Sequence, residues 1–100
     1  MSIFGITGVH LDDAGRMLRA AICGIDPASL QFVGIPTVME AHEVASLLDS
    51  GDSIYAVFGL GDDLTLGPKF RYATYAGGEE GAELETDEPG QRLTDLVLIA

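Results

Sequence analysis

Apolar residues dominate the first quarter of the chain in two runs that a polar turn separates. The runs, Ile3 to Leu11 and Met17 to Ile25, are rich in Ile, Val and Leu, which favour extended structure. The turn, Asp12 to Gly15, ends in a glycine, as hairpin loops commonly do. The pattern predicts an N-terminal β-hairpin, and the turn signal of Asp26-Pro27 predicts a short third strand from Leu30 to Ile35.

A helical spacing of apolar residues replaces this pattern in the middle of the chain. It predicts a helix from Val38 to Asp49, with Thr37 as the N-cap and Glu40 completing a capping box. Gly51 suits the left-handed position that ends a helix. The apolar residues fall on one arc of the helix and are expected to face the core: Val38, Ala41, Val44, Ala45 and Leu48.

Three further segments predict strands. Ser53 to Leu60 is mostly apolar, which is typical of a central strand, and Lys69 to Ala76 alternates between two faces. Leu93 to Ile99 favours a final strand, with a short helix from Gln91 to Leu96 as the alternative. This order predicts an α+β fold in one domain, residues 1–100, with one helix packed on a mostly antiparallel sheet of five or six strands.

Three glycines interrupt the predicted first hairpin. Gly5 and Gly8 lie in its first strand and Gly24 lies in its second strand. Glycine inside a strand marks a bulge or a close approach of another segment, so sheet curvature or contact with the helix explains all three. The alternative is a ligand that rests on these glycines.

Acidic residues far outnumber basic ones. The chain has 16 Asp and Glu against 5 Lys and Arg, a formal net charge of -11. Such a chain repels nucleic acid and anionic membrane surfaces, and its charge favours a basic protein partner. Many of the acids lie between Glu79 and Glu88. The glycine-rich segment that contains them, Gly77 to Gly90, is expected to form a mobile polar hairpin or loop, in which Ala82 to Glu85 is too short and charged for a strong strand.

Two residues before the acidic run form a candidate contact patch. Alternation along the predicted strand places Tyr75 and Arg71 on the face opposite Phe70 and Tyr72, so we expect Tyr75 to be exposed. Together with acids of the run, the candidate interaction residues are Arg71, Tyr75, Glu79, Glu80, Glu83 and Glu85.

The sequence carries no specific motif for catalysis, a metal or a cofactor. Cys23 lies among apolar residues and is expected to be a small buried residue. With His10 and His42 it lacks the close ligand spacing of a zinc site. Gly59 to Asp63 lacks both the lysine of a phosphate-binding loop and the alternating acids of a calcium loop. We therefore expect neither a metal nor a cofactor.

These observations predict a non-catalytic binding or accessory module. The first alternative is an acidic inhibitor or nucleic-acid mimic that binds a basic protein surface, and the second is a small enzyme that uses His10 or His42. The hairpin, the helix and the strand after it resemble short bacterial domains of unknown function, and this resemblance implies no activity.

Two further expectations concern location and assembly. The chain has no signal-like N-terminus and no apolar run of about 20 residues, which predicts a cytoplasmic protein. The first hairpin has few charges along its strands. Because sheet edges of this kind tend to pair, we expect a homodimer formed partly through this half of the chain.

Overall fold

The computed structural model describes residues 2–29, 31–58, 66–86 and 88–99. In these residues the chain forms one α-helix, one 3-10 turn and seven strands. The elements are β1 (Ile3–Leu11), β2 (Met17–Asp26), β3 (Gln31–Glu40), α1 (Ala41–Asp49), β4 (Ser53–Val57), β5 (Leu66–Thr74), β6 (Glu80–Leu84), the 3-10 turn (Leu93–Asp95) and β7 (Val97–Leu98).

The strands form one mixed sheet in the order β3-β2-β1-β4-β5-β6, and β7 also pairs with β1. Neighbours along this path are antiparallel except β1 and β4, which are parallel, as are β1 and β7. β4 pairs with the first half of β1, and β7 pairs with Gly8 and Val9 in its second half. The predicted α+β class, with one helix on a mostly antiparallel sheet, is confirmed.

The first hairpin forms as predicted, but it has no free edge. β1 lies between β2 and β4, and β2 lies between β1 and β3. The edge strands of the main path are instead β3 and β6. The idea that the first hairpin supplies an exposed edge is therefore wrong, because pairing partners further along the chain cover both of its strands.

The third strand is longer than predicted and contains an irregularity. It begins at Gln31 and continues to Glu40, whereas Leu30 lies outside the described residues. The register with β2 shifts between Ile22 and Gly24, and Gly34 adopts a φ of 80°. Such a bulge bends an edge strand and interrupts its pairing.

The helix begins later than predicted. Thr37 pairs with Ile22 and Glu40 pairs with Arg19 across β2 and β3, so the chain stays extended where the sequence predicted a capped first turn. The N-cap is Glu40, whose backbone N–H donates to Glu43 Oε1 at 3.2 Å. The Thr37 cap is therefore wrong, because strand pairing with β2 outweighs the local preference for helix.

The end of the helix and its buried face agree better with the sequence. Gly51 has a φ of 95°, and its N–H donates to the Leu48 carbonyl at 3.0 Å. Val44 and Ala45 are buried, but Val38 lies exposed on β3. The buried core cluster lies between α1 and the sheet and consists of Ile6, Val9, Met17, Ala20, Ile22, Val44, Ile54, Ala56, Phe70, Ala82 and Leu96.

Three of the remaining strands differ from the prediction, and β5 runs over Leu66–Thr74 instead of Lys69 to Ala76. β4 is central, as predicted, although it ends at Val57 and the next residues, 59–65, lie outside the described residues. Part of the predicted acidic loop is the strand β6, which pairs with β5 from Glu80 to Leu84. The expectation that Ala82 to Glu85 is too charged for a strong strand is wrong, because Gly81 and Ala82 are buried, which their acidic neighbours obscured.

The C-terminal segment combines the two predicted alternatives. A 3-10 turn forms at Leu93–Asp95 and β7 follows it at Val97–Leu98. Leu96 between them is buried in the core cluster. Cys23 is also buried, as predicted, with Sγ lying 3.4 Å from the Val33 carbonyl oxygen.

Candidate functional site

A groove of about 290 Å³ lies where three separate parts of the chain meet. They are the turn between β1 and β2, the start of α1, and the turn between β5 and β6. The sheet curls enough for β6 to approach β2, which brings these turns together. We call this the acidic groove, and its ionisable and aromatic lining consists of Asp12, Arg16, Glu40, His42, Tyr75, Glu79 and Glu80.

The first wall of the acidic groove is held by a tight turn. Asp12 Oδ1 accepts hydrogen bonds from the backbone N–H groups of Ala14 and Arg16, each at 2.8 Å. Gly15 has a φ of 82°, a left-handed conformation that glycine adopts without strain. The carboxylate of Asp12 thus fixes the backbone from which Arg16 extends.

Arg16 and Tyr75 form the contact between the two turns. The Arg16 guanidinium carbon lies 4.1 Å from the centre of the Tyr75 ring, a cation–π arrangement. The ring also lies over Gly81, where an added Cβ would be 2.8 Å from Tyr75 Cε2. Tyr75 is therefore half-buried and the expectation that it is exposed is wrong, whereas Tyr72 is 39% exposed.

The environment of Tyr75 changes its acidity. Burial raises the pKa of Tyr75 above its ordinary value of 10.0, the Glu83 carboxylate raises it further, and Arg16 opposes the increase. The folded protein therefore retains the phenolic proton at a pH where the unfolded chain has begun to lose it. By linkage, the stability that the raised pKa of Tyr75 contributes is fully present below pH 10. This contribution is lost as the pH rises through the higher folded-state pKa.

Tyr75→Phe is expected to make stability less sensitive to alkaline pH. Phenylalanine keeps the ring between Arg16 and Gly81 but has no proton to lose. Urea denaturation followed at several pH values between about 9 and 11 measures the effect, with wild type losing stability more steeply than the variant. Equal slopes in the two proteins would contradict a raised pKa at Tyr75.

The acidic groove keeps a net negative charge. Four carboxylates and Arg16 line it, and Glu40 also lies 4.0 Å from Arg19 in an exposed ion pair. The N-terminus of α1 adds roughly half a positive charge. These positive charges reduce the four negative ones to roughly one and a half. Within the described part of the chain Glu79 and Glu80 form no ion pair, so these two carboxylates carry the excess.

The other predicted interaction residues lie outside the acidic groove. Arg71 Nη2 lies 3.3 Å from Glu83 Oε2, its partner across β5 and β6. Both side chains are exposed, so the pair contributes about 1 kcal/mol or less. Glu85 is exposed just after β6. The groove lining thus includes Tyr75, Glu79 and Glu80 but not Arg71, Glu83 and Glu85. Glu83 nevertheless interacts with Tyr75 from outside the groove.

Sequence reasoning missed half of the acidic groove. Asp12, Arg16 and Glu40 belong to the first half of the chain and lie far in sequence from the acidic run. In the sequence, these residues indicate only a hairpin turn and the start of a helix. Only the curl of the sheet makes them neighbours of Glu79 and Glu80.

The two histidines have different surroundings. His10 Nδ1 lies 3.0 Å from the Ile99 carbonyl oxygen and donates to it, so this ring fastens the segment after β7. His42 lines the acidic groove and also a second groove with Glu43 and Ser46. Among the described residues no hydrogen-bond partner orients the His42 ring, and no group of three or more His, Cys, Asp or Glu could hold a metal ion.

A larger, mainly apolar groove of about 500 Å³ lies at the other end of β3. We call it the Gly24 groove, and its apolar lining includes Ile3, Phe4, Gly24, Ile25, Pro27 and Val33. An added Cβ at Gly24 would meet only the Val33 carbonyl oxygen, at 3.9 Å. Gly5 and Gly8 are instead covered by side chains, so Gly24 is the glycine of these three that opens onto a groove.

Comparison with known proteins identified no relative: no family model, characterised protein or solved structure matches the chain. Among the described residues, no helix is both long and apolar enough to span a membrane. The segment Gly59 to Asp63, where the sequence predicted neither a phosphate-binding nor a calcium-binding loop, lies outside the described residues.

Proposed function

We propose that this protein is a non-catalytic binding module whose acidic groove holds a basic segment of a partner protein. The observation that carries the proposal is the pair of unneutralised carboxylates, Glu79 and Glu80, at a groove also walled by Asp12 and Glu40. These groups come from three segments of the chain, so folding creates the negative site.

The chemistry of the groove suits a lysine or arginine side chain. A carboxylate accepts charge-assisted hydrogen bonds from such cations, and these are stronger than bonds between neutral groups. The contact between Arg16 and Tyr75 is an internal instance of a guanidinium packed on an aromatic ring. A groove of about 290 Å³ accommodates one or two side chains of a peptide segment.

The charge of the whole protein also favours a basic partner. A formal net charge of -11 attracts basic surfaces over a distance of about a Debye length and repels phosphate backbones. A basic protein partner therefore fits the proposal better than nucleic acid or an anionic membrane. The proposal places this partner and the module together in the cytoplasm.

The structure offers less support for a nucleic-acid mimic. Mimicry of a phosphate backbone requires carboxylates in a row along one rigid surface. On β6, Glu80 and Glu83 are three residues apart, so alternation directs them to opposite faces of the sheet. Glu83 is also paired with Arg71, which reduces the charge available on that face.

His42 is the observation that favours an enzyme as the second candidate. It lies in the acidic groove near carboxylates and beside Ser46 in the neighbouring groove. A general base is normally oriented by a hydrogen bond from its other ring nitrogen. Since the described residues supply none to His42, we propose binding and not catalysis as the function of this groove.

The double variant Glu79→Gln with Glu80→Gln is expected to weaken binding of a short arginine- and lysine-containing peptide by about fivefold, since exposed charge contacts contribute about 0.2–1 kcal/mol each. Isothermal titration calorimetry at low and high salt measures the effect, and added salt should weaken binding to wild type.

The matched control removes two charges outside the acidic groove, by Glu85→Gln with Glu88→Gln. If binding depends on the groove, this control should bind the peptide within about twofold of wild type. Equal losses in both double variants would show that net charge alone attracts the peptide and would refute the groove as the binding site.

A further inference from the structure

β3 is an edge strand with apolar side chains exposed on both of its faces. Val33 is 60% exposed, Ile35 is 87% exposed and Val38 is 57% exposed. Phe32, next to Val33, is 37% exposed, and neighbouring residues of a strand point to opposite faces. Every residue of this strand from Gln31 to Val38 is exposed, and only Met39 packs against the core.

The Gly24 groove lies directly beside these exposed side chains. Val33 belongs both to β3 and to the lining of the groove, whose floor is Gly24. The chain thus carries an apolar projection at Ile35 and an apolar recess at Gly24 on the same part of its surface. A projection and a recess placed side by side are the elements of a self-complementary contact.

We propose that a second copy of this chain covers the surface, with Ile35 of each copy inserted into the Gly24 groove of the other. In a two-fold dimer the contact occurs twice, because each copy supplies both the projection and the recess. The arrangement closes on itself and leaves no free site for a third copy.

The distribution of charge supports a second copy as the occupant. Each copy carries a formal net charge of -11, so two copies can approach only through a surface without like charges. From Gln31 to Met39 the edge strand contains no charged residue. A basic partner would find no carboxylate between Gln31 and Met39, whereas Glu40 at the end of the strand lines the acidic groove.

The edge strip supplies part of the area that a small dimer interface needs. A strand of ten residues is roughly 33 Å long, and a sheet with its side chains is on the order of 10 Å thick, which gives an edge strip on the order of 300 Å². The exposed side chains and the groove add to it. The strip alone is about half of the roughly 600 Å² per copy at the lower end of stable interfaces, so insertion of Ile35 into the Gly24 groove must supply the rest.

Insertion of side chains fits β3 better than extension of the sheet. Pro36 has no backbone N–H to donate, and the bulge around Gly34 bends the strand. Proline and bulges are devices that prevent edge-to-edge strand pairing. The dimer we propose therefore depends on side chains that fill a groove and not on a continuous ladder of hydrogen bonds.

Sedimentation equilibrium over a dilution series tests this contact with two different variants. Ile35→Glu removes the projection, and Gly24→Val fills the recess without a close contact in the monomer. Each is expected to raise the dimer dissociation constant at least about tenfold. The control Thr86→Glu adds the same charge at an exposed position away from β3 and should dimerise like wild type. Dimerisation of wild type should strengthen with salt, which screens repulsion.

Three results would overturn the proposal. The first is a wild-type protein that remains monomeric across the dilution series at high salt. The second is a dimer that persists in both Ile35→Glu and Gly24→Val, with circular dichroism showing that the variants fold. The third is a monomer that captures a different protein through Ile35, which would assign the surface to another occupant.

Discussion

Phe70→Ala is expected to lower the free energy of unfolding by about 3–5 kcal/mol, the usual loss when a buried phenylalanine is truncated. Phe70 is 2% exposed and belongs to the same core cluster as Val44 of α1 and Ile54 of β4. Its strand, β5, pairs with both β4 and β6. The cavity would therefore lie where the helix and the second half of the sheet meet.

Urea denaturation followed by circular dichroism measures the loss for Phe70→Ala. Since domains of this size have a total stability of about 5–15 kcal/mol, the transition should move to a much lower urea concentration. Thr74→Ala is a matched control, because Thr74 lies on the same strand and face but is exposed. It should cost less than about 1 kcal/mol. Similar losses in both variants would contradict the packing described for β5.

Gly5→Val is expected to destabilise the fold by about 2 kcal/mol. An added Cβ at Gly5 would lie 2.8 Å from Val57 Cγ2 and 2.9 Å from Ile25 Cδ1. These are side chains on the neighbouring strands β4 and β2, so neither can move far without disturbing the sheet. Valine favours extended structure, but that gain is at most about 1 kcal/mol, less than the strain.

Gly24→Val is the control for this prediction as well. Gly24 also lies in the first hairpin, but the space above it is open, so valine there should change monomer stability by less than about 1 kcal/mol. Denaturation of the two variants under conditions that favour the monomer measures the contrast. If Gly5→Val unfolded at the same denaturant concentration as wild type, the side chains over Gly5 would not be closely packed.

The sequence predicted which helices and strands form better than it predicted the residues at which they begin and end. The first hairpin, the central strand β4 and the end of α1 at Gly51 were all predicted, because a local signal marks each of them. The start of α1 was wrong, since Thr37 and Glu40 read as a capping box while β2 holds both residues in a strand. A local preference of about 1 kcal/mol is small beside a ladder of paired residues.

The acidic groove was predictable only in part. The dense acidic run and the aromatic residue before it indicate a candidate interaction site that includes Tyr75, Glu79 and Glu80. The exposure of Tyr75 was wrong, since nothing in the sequence shows that its ring packs on Gly81 and under Arg16. The opposite wall, from Asp12 and Glu40, depends on how the sheet curls.

Local pattern and composition by themselves determined the α+β class, the presence of helix α1 and the strongly negative charge of this protein. Residue spacing and turn glycines act over a few residues, and net charge is a sum over the chain, so these properties need no knowledge of the fold. Tertiary structure decided the rest. It set which strand lies at the edge, which of the glycines Gly5 and Gly24 is covered, and which carboxylates share a groove. Each depends on contacts between residues far apart in the chain, for which local sequence carries no signal.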